Sequence, residues 1–292
     1  MTTTFQLGGD LAVRRIGYGT MRLTAPQVPG FSNAMFHIWN APDDRRAAIA
    51  VLRRAVELGV DLFDTADSYG LGENESLIAE ALSPYRDEVV IATKVGAVRP
   101  APPEWIPLGH PAYLRQQAEL SLRRLRLDRI DLLQLHRVDP AFPLADQVGA
   151  LKQLVDEGKV RHIGLSEVSV EQLREAAAIT PVASVQNLYN IGERGHEDVV
   201  EYAAAQGIAF IPWFPIGAGA HAVADGPVAE VAAEVGATPA QVSLAWLLHR
   251  SPVMLPIPGT TSQSHLADNV AAGDLRLSDD QLRRLSAAVP VR

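Results

Sequence analysis

Three neighbouring stretches decide how this chain folds: IDLLQLH at residues 130–136, PLADQVGALKQLVDE at 143–157 and VRHIGLS at 160–166. The first and last are short and largely apolar, the pattern of strands covered on both faces. The middle one sets Leu144, Val148, Leu151 and Val155 on one stripe and stops before Gly158, the pattern of an amphipathic helix. Strand, helix and strand in succession make a βαβ unit, the building block of a parallel sheet.

The same alternation extends in both directions. Eight β-rich runs are predicted: residues 15–20, 60–64, 88–94, 130–136, 160–166, 183–186, 208–213 and 253–257. Helical patterns lie between them. Residues 43–58 open with two carboxylates, carry Ile49, Leu52 and Val56 on one face and stop at Gly59. Residues 111–127 align Leu114, Ala118, Leu122 and Leu125. Ser169 with Gln172, Thr238 with Gln241 and Ser278 with Gln281 have capping-box spacing, and Pro239 follows Thr238 at a first helical position. Strand–helix units of about 30 residues, repeated eight times, predict an α/β fold of the parallel (β/α)8 TIM-barrel type. No linker or composition shift divides the chain, so residues 1–292 read as a single barrel domain. Gly8, Gly9 and Asp10 mark the turn of an extra N-terminal β-hairpin. Two segments are longer than ordinary loops, 22–42 with Phe31, Met35, Phe36 and Trp39, and 96–110 with several prolines and Trp105.

Composition excludes several classes. Hydrophobic residues make up 47% of the 292, and charged residues 21%, as in a globular protein rather than a disordered or coiled one. There is no cysteine, so disulfides, thiolate metal sites and a cysteine nucleophile are excluded, and a reducing cytoplasm suits the chain. With 26 basic and 34 acidic residues the net charge is −8, a poor match to nucleic acid. Residues 1–10 lack the basic start and apolar core of a signal peptide, and the longest uncharged stretch, 202–224, is broken by Pro212, Pro215 and several glycines. The expectation is a cytoplasmic protein with a small-molecule partner and neither a membrane nor a nucleic acid.

In barrels of this kind chemistry sits where the strands end. The predicted strands end in Asp64, Lys94, His136, Ser166 with Glu167, Gln186 with Asn187, and Trp213; the last runs into Pro258, Gly259 and Thr260. Tyr69 lies five residues past Asp64. Taken singly, each has a bland reading: a turn cap, a snorkelling lysine, a satisfied core histidine, a core tryptophan. Together, an acid, an amine, a phenol and an imidazole project into one mouth. A phenol titrates near about 10, and an adjacent ammonium favours its ionised form. Lys94 is therefore expected to pull the Tyr69 pKa down, with Asp64 holding Lys94 charged and His136 donating a hydrogen bond to a carbonyl oxygen. That set suits protonation of an oxygen during hydride transfer, with the hydride from a cofactor. No Rossmann glycine fingerprint is present. Gly217 to Gly219 and Gly259 to Ser262 follow strands seven and eight, where barrels bind phosphate, and Trp213 offers a flat face to an aromatic ring.

The chain resembles the aldo-keto reductase superfamily. The resemblance rests on Leu62-Phe63-Asp64-Thr65-Ala66-Asp67-Ser68-Tyr69-Gly70, Ile91-Ala92-Thr93-Lys94, Asp131-Leu132-Leu133-Gln134-Leu135-His136 and Ile163-Gly164-Leu165-Ser166. It continues through Val185-Gln186-Asn187, the run from Pro212 to Gly217, and Ile257-Pro258-Gly259-Thr260-Thr261-Ser262. The resemblance implies a catalytic tetrad of Asp64, Tyr69, Lys94 and His136, with Tyr69 as general acid for reduction of an aldehyde or ketone. It implies NADPH, in exchange with NADP+, extended across the mouth, with NADH open as an alternative. Ser166, Glu167 and Gln186 would face the nicotinamide carboxamide and Trp213 the ring. Phe214, Ile216 and Gly217 would line the pyrophosphate. Gly259, Thr260, Thr261, Ser262, His265, Asp268 and Asn269 would surround the adenosine and its 2′-phosphate. No metal is implied. Glu167 departs from the family's usual asparagine, and Thr261 and His265 stand where arginine or lysine is common. The runs around Ser166, Ser251 to Ser262 and Leu23 to Pro26 are most similar to the pyridoxine 4-dehydrogenase (pyridoxal reductase) branch, which implies a pyridoxal-type substrate.

Other readings stay open. Lys94 could serve as the amine of a Schiff-base aldolase, although an Asp64 partner would keep it charged. A metal-dependent hydrolase would need histidines at H-x-H or H-x-x-x-H spacing, which the chain lacks. A non-catalytic subunit that merely binds NADPH would keep the same fold. The sequence assigns no oligomeric state.

Overall fold

A computed structural model describes residues 3–24, 38–101, 104–217 and 226–287. An antiparallel hairpin of β1 (Thr4–Leu7) and β2 (Leu11–Arg14) comes first, in register Leu7 to Leu11 around the predicted turn. The parallel sheet then begins with β3 (Tyr18–Gly19), β4 (Leu62–Asp64) and β5 (Val90–Val95). A small antiparallel pair, β6 (Ala97–Val98) and β7 (Ile106–Pro107), lies in the loop after β5. The sheet continues with β8 (Ile130–Leu135), β9 (Val160–Ser166), β10 (Val182–Gln186) and β11 (Ala209–Phe210), in the spatial order β11-β10-β9-β8-β5-β4-β3.

The predicted eighth strand closes the curl without forming a regular strand. Phe210 donates its N–H to Val253 O (2.9 Å), Leu255 to Phe210 O (2.8 Å) and Gly17 to Pro256 O (3.0 Å), so residues 253–257 bridge the two sheet edges. Pro256 and Pro258 have no N–H to give, which leaves an incomplete ladder. The runs predicted at 15–20 and 208–213 shorten to two ladder residues each at this seam, the second broken by Pro212. Backbones touch there. A Cβ on Gly19 would lie 2.6 Å from Ile257 O, and one on Gly259 2.5 Å from Gly19 O, so only glycine fits at either position.

The helices cover the sheet as α1 (Arg45–Glu57), α2 (Glu73–Leu82), α3 (Pro111–Leu125), α4 (Leu144–Asp156), α5 (Val170–Ala177), α6 (Glu197–Gln206), α7 (Pro227–Val235), α8 (Pro239–Arg250), α9 (Gln263–Ala271) and α10 (Asp279–Ala287). Their predicted stripes face inward. Leu144, Val148 and Leu151 of α4 are buried against the sheet, each such side chain contributing about 1.5–3 kcal/mol. The capping boxes at Ser169 and Thr238 are reciprocal, and Ser278 exchanges both bonds with Gln281.

The barrel interior has a dry end. Leu7 and Val13 of the hairpin pack with Leu62, Val90, Ala183 and Ala209, all at or near the starts of their strands. Asp10 fastens the hairpin by bonding Arg161 and His162. The hairpin therefore plugs the end where strands begin, and the polar strand ends gather at the other. Among the described residues no single helix is long and apolar enough to cross a membrane.

Candidate active site

Asp64 ends β4, Lys94 lies near the end of β5, and His136 follows β8. Tyr69 reaches the same place through the turn after β4, where Gly70 and Leu71 both take left-handed backbone (φ 56° and 54°). Buried Asn74 of α2 holds that turn. Its Oδ1 accepts from Thr20 Oγ1 (2.5 Å) and Thr65 Oγ1 (2.7 Å), and its Nδ2 donates to Thr20 O (2.9 Å).

Lys94 Nζ donates to Asp64 Oδ2 (2.6 Å), Thr65 O (2.8 Å) and the Tyr69 hydroxyl (3.3 Å). Gln186 and Gln134 donate to Asp64 Oδ1 at 2.8 and 3.2 Å. Lys94 is 0% and Asp64 2% exposed. A pair sealed this far from water is tolerable only when its remaining donors and acceptors are satisfied, as they are here. The His136 ring stands edge-on to Tyr69 (centroids 5.9 Å apart) and to Trp105 (5.6 Å), and its Nδ1 is 3.3 Å from Ser68 Oγ.

Protonation follows from this burial. Desolvation alone would lower Lys94, but Asp64 and Tyr69 outweigh it and hold the ammonium above its ordinary range. Desolvation, with the positive charges of Lys94, Arg137 and Arg99, drops His136 well below the usual imidazole range, so it is neutral. Tyr69 departs from expectation. Burial raises the phenol and Lys94 recovers only part of the rise, so the hydroxyl keeps its proton at neutral pH. A protonated phenol beside an ammonium is an acid ready to donate, while the charged, acid-paired Lys94 is a poor Schiff-base nucleophile.

One neighbour is unusual. Among the described residues, both carboxylate oxygens of Asp67 are buried without a hydrogen-bond partner. Burial, then the charge of Glu75, raises its pKa well above the carboxylate range.

The residues expected around a cofactor form two groups flanking the mouth. In the first, Ser166 Oγ accepts from Arg137 Nη1 (3.0 Å), which also donates to His136 O (2.6 Å). Gln186 joins the buried network on Asp64. Glu167 Oε1 accepts from Trp213 Nε1 and from Leu188 N, both at 2.6 Å. Burial would raise the Glu167 carboxyl, but bonds from His196, Trp213 and Leu188 bring it down to about 2. Trp213, Phe214, Ile216 and Gly217 follow on the turn after β11, where Gly217 N donates to Phe214 O (3.0 Å) and Ile216 packs on the core. In the second group, Gly259, Thr260, Thr261 and Ser262 lead into α9. Ser262 caps that helix, Tyr18 donates its hydroxyl to Thr260 O, His265 is exposed, Asp268 half-buried and Asn269 buried. Gly219, Phe31, Met35 and Phe36 lie outside the described residues.

Several residues at the mouth were given no role by the sequence. Gln134 could have been found, because it precedes His136 by two and so shares its face of β8. Arg137 and Arg99 carried no signal. Arg99 stacks on Trp105 at 4.0 Å, which only the fold of the loop after β5 brings about. Arg22 lies beside Gly259, its Cγ 3.9 Å from where a Cβ would stand.

Known proteins resemble this chain in sequence and in fold. The aldo/keto reductase family model matches residues 15–290. An uncharacterized oxidoreductase of Schizosaccharomyces pombe is 46% identical over 277 residues, covering 95% of this chain and 87% of that protein. Pyridoxine 4-dehydrogenase of Escherichia coli is 42% identical over 290 residues, covering 97% of each. A crystal structure of an aldo/keto reductase from Klebsiella pneumoniae in complex with NADP and acetate superposes with a TM-score of 0.82 at 30% identity, over 100% of this chain and 97% of that one.

Proposed function

Because the chain belongs to the aldo/keto reductase family, we propose that it is an NADPH-dependent reductase of aldehydes and ketones, reversible toward alcohol oxidation, formed by one barrel domain over residues 1–292. The observation that carries the reading is the sealed Lys94, bonded at once to Asp64 and to the Tyr69 hydroxyl.

The residues present fit the cofactor. The Trp213 ring stands at the mouth, half-buried and tied by its N–H. Ser166 still has a hydroxyl proton to donate after accepting from Arg137. The capped N-terminus of α9, with Arg22 beside Gly259, suits a phosphate. When bound, NADPH supplies the hydride. Neutral His136 orients the carbonyl oxygen by donating a hydrogen bond, and Tyr69 gives that oxygen its proton. Lys94 stabilises the phenolate left behind, and Asp64 keeps Lys94 charged and in place.

A pyridoxal-type substrate is supported by the likeness to pyridoxine 4-dehydrogenase and by the aromatic wall of Trp105 edge-on to Tyr69 and His136. A cytoplasmic location is supported by the cysteine-free sequence. The test is tryptophan-fluorescence titration with NADPH and NADH, followed by NADPH oxidation with pyridoxal and with simple aldehydes. Tight NADPH binding and turnover of pyridoxal are expected. Binding of neither cofactor would end the reductase reading, and turnover of simple aldehydes alone would end the pyridoxal one.

A further inference from the structure

Glu167 follows β9 with a left-handed backbone (φ 56°), a conformation unusual for a residue with a Cβ. The carboxylate it presents is bound from several sides. Oε1 takes both the Trp213 indole N–H and the Leu188 N–H at 2.6 Å, and Oε2 lies 3.7 Å from His196 Nε2. Trp213 is tied by its backbone as well, its N–H donating to Asn187 O at 3.2 Å. With its backbone and the polar end of its ring both held, the indole cannot turn about its side-chain bonds without losing a charge-assisted hydrogen bond. The ring is a fixed plate. The carboxylate at its edge is ionised at neutral pH, held down by the same bonds.

A glutamate with one oxygen already shared by two donors is poorly placed to serve the nicotinamide carboxamide. It is well placed to act through the tryptophan. We propose that Glu167 is a positioning residue: its carboxylate locks Trp213 as the platform for the nicotinamide ring, and its charge favours the oxidised, positively charged ring over the reduced one. This rests on the reading of Trp213 as the nicotinamide platform. The physical reason is Coulombic. The ring is cationic in NADP+ and neutral in NADPH, so a carboxylate hydrogen-bonded to its platform stabilises one form and not the other. Arg137 and His196 also face Glu167, and the positive charge of Arg137 moderates the effect. The consequence is a bias in cofactor exchange, with the oxidised form held longer than the geometry of the plate alone would hold it.

The experiment compares the full-length chain with Glu167→Gln, which keeps the shape and an acceptor but not the charge, and Glu167→Ala, which keeps neither. Two readouts are taken. The first is the indole N–H resonance of Trp213 in 15N-labelled protein, assigned with Trp213→Phe. The second is the pair of dissociation constants for NADP+ and NADPH, from fluorescence titration. In Glu167→Gln the indole resonance should move upfield. The NADP+ constant should rise about threefold or more while that for NADPH changes less than about twofold. In Glu167→Ala both constants should rise, by about tenfold for NADPH and further for NADP+, as the plate loosens and the charge is lost. An unmoved indole resonance in Glu167→Gln overturns the lock. Normal wild-type binding with an unchanged NADP+ to NADPH ratio in both variants overturns the charge effect alone. Wild-type protein that binds neither cofactor overturns the reductase reading and this inference with it.

Discussion

Lys94 Nζ donates to the Tyr69 hydroxyl at 3.3 Å while remaining closer to Asp64, at 2.6 Å. The ammonium thus sits between the Asp64 carboxyl and a phenol that is anionic only after giving up its proton. Its partial hold on Tyr69 is too weak to ionise the buried phenol at rest, and becomes strong when a phenolate forms.

Removing the Tyr69 hydroxyl should remove the acid and little else. Tyr69→Phe is expected to lower kcat by about 10²–10⁴, with NADPH affinity within about twofold of wild type. Steady-state kinetics with a binding titration checks this. Undiminished turnover would reassign the acid.

Removing Lys94 affects stability as well as chemistry. Lys94→Met leaves the buried Asp64 carboxyl without its cation, with Gln134 and Gln186 as its side-chain partners among the described residues, so unfolding in urea should show a loss of about 3–5 kcal/mol. Adding Asp64→Asn removes the orphaned charge and should restore part of that stability without restoring turnover. A double variant no more stable than the single one would argue against the charge pair as the cause.

The pH profile should be flat through neutrality. His136 is held neutral by burial and then by Lys94, so it gives no acid limb near about 6.5. Tyr69, raised by burial, is lost as an acid only above its ordinary range, so kcat/KM for reduction should fall only on the alkaline side. A limb centred near pH 6.5 in kcat/KM would show that His136 titrates where its surroundings say it does not.

Asp67 should make the protein less stable as pH rises. Burial and Glu75 raise its folded pKa, so the folded chain keeps a proton that the unfolded chain releases above about pH 4. Stability from this group is fully present below that pH and is lost as pH climbs toward the raised folded value. Asp67→Asn has no such loss. It should match wild type near pH 4 and exceed it by about 1 kcal/mol or more at pH 8 in urea titrations. Parallel stability curves would show that Asp67 titrates normally.

The sequence by itself determined the alternation of strands and helices, the hairpin turn at Gly8 and Gly9, the capping boxes, and four groups with one chemistry. These are local or periodic signals: burial on both faces makes a strand apolar, a helix repeats every 3.6 residues, and a cap needs its partner three residues on. Tertiary structure decided the rest. The seam strands shortened because Pro212, Pro256 and Pro258 cannot complete a ladder between edges that meet only when the barrel closes. The direction of the Tyr69 shift required knowing that desolvation exceeds the pull of Lys94, which depends on how completely the mouth is packed. The bond from Trp213 to Glu167 joins the ends of two strands 46 residues apart, and no spacing rule within a single element reaches that far.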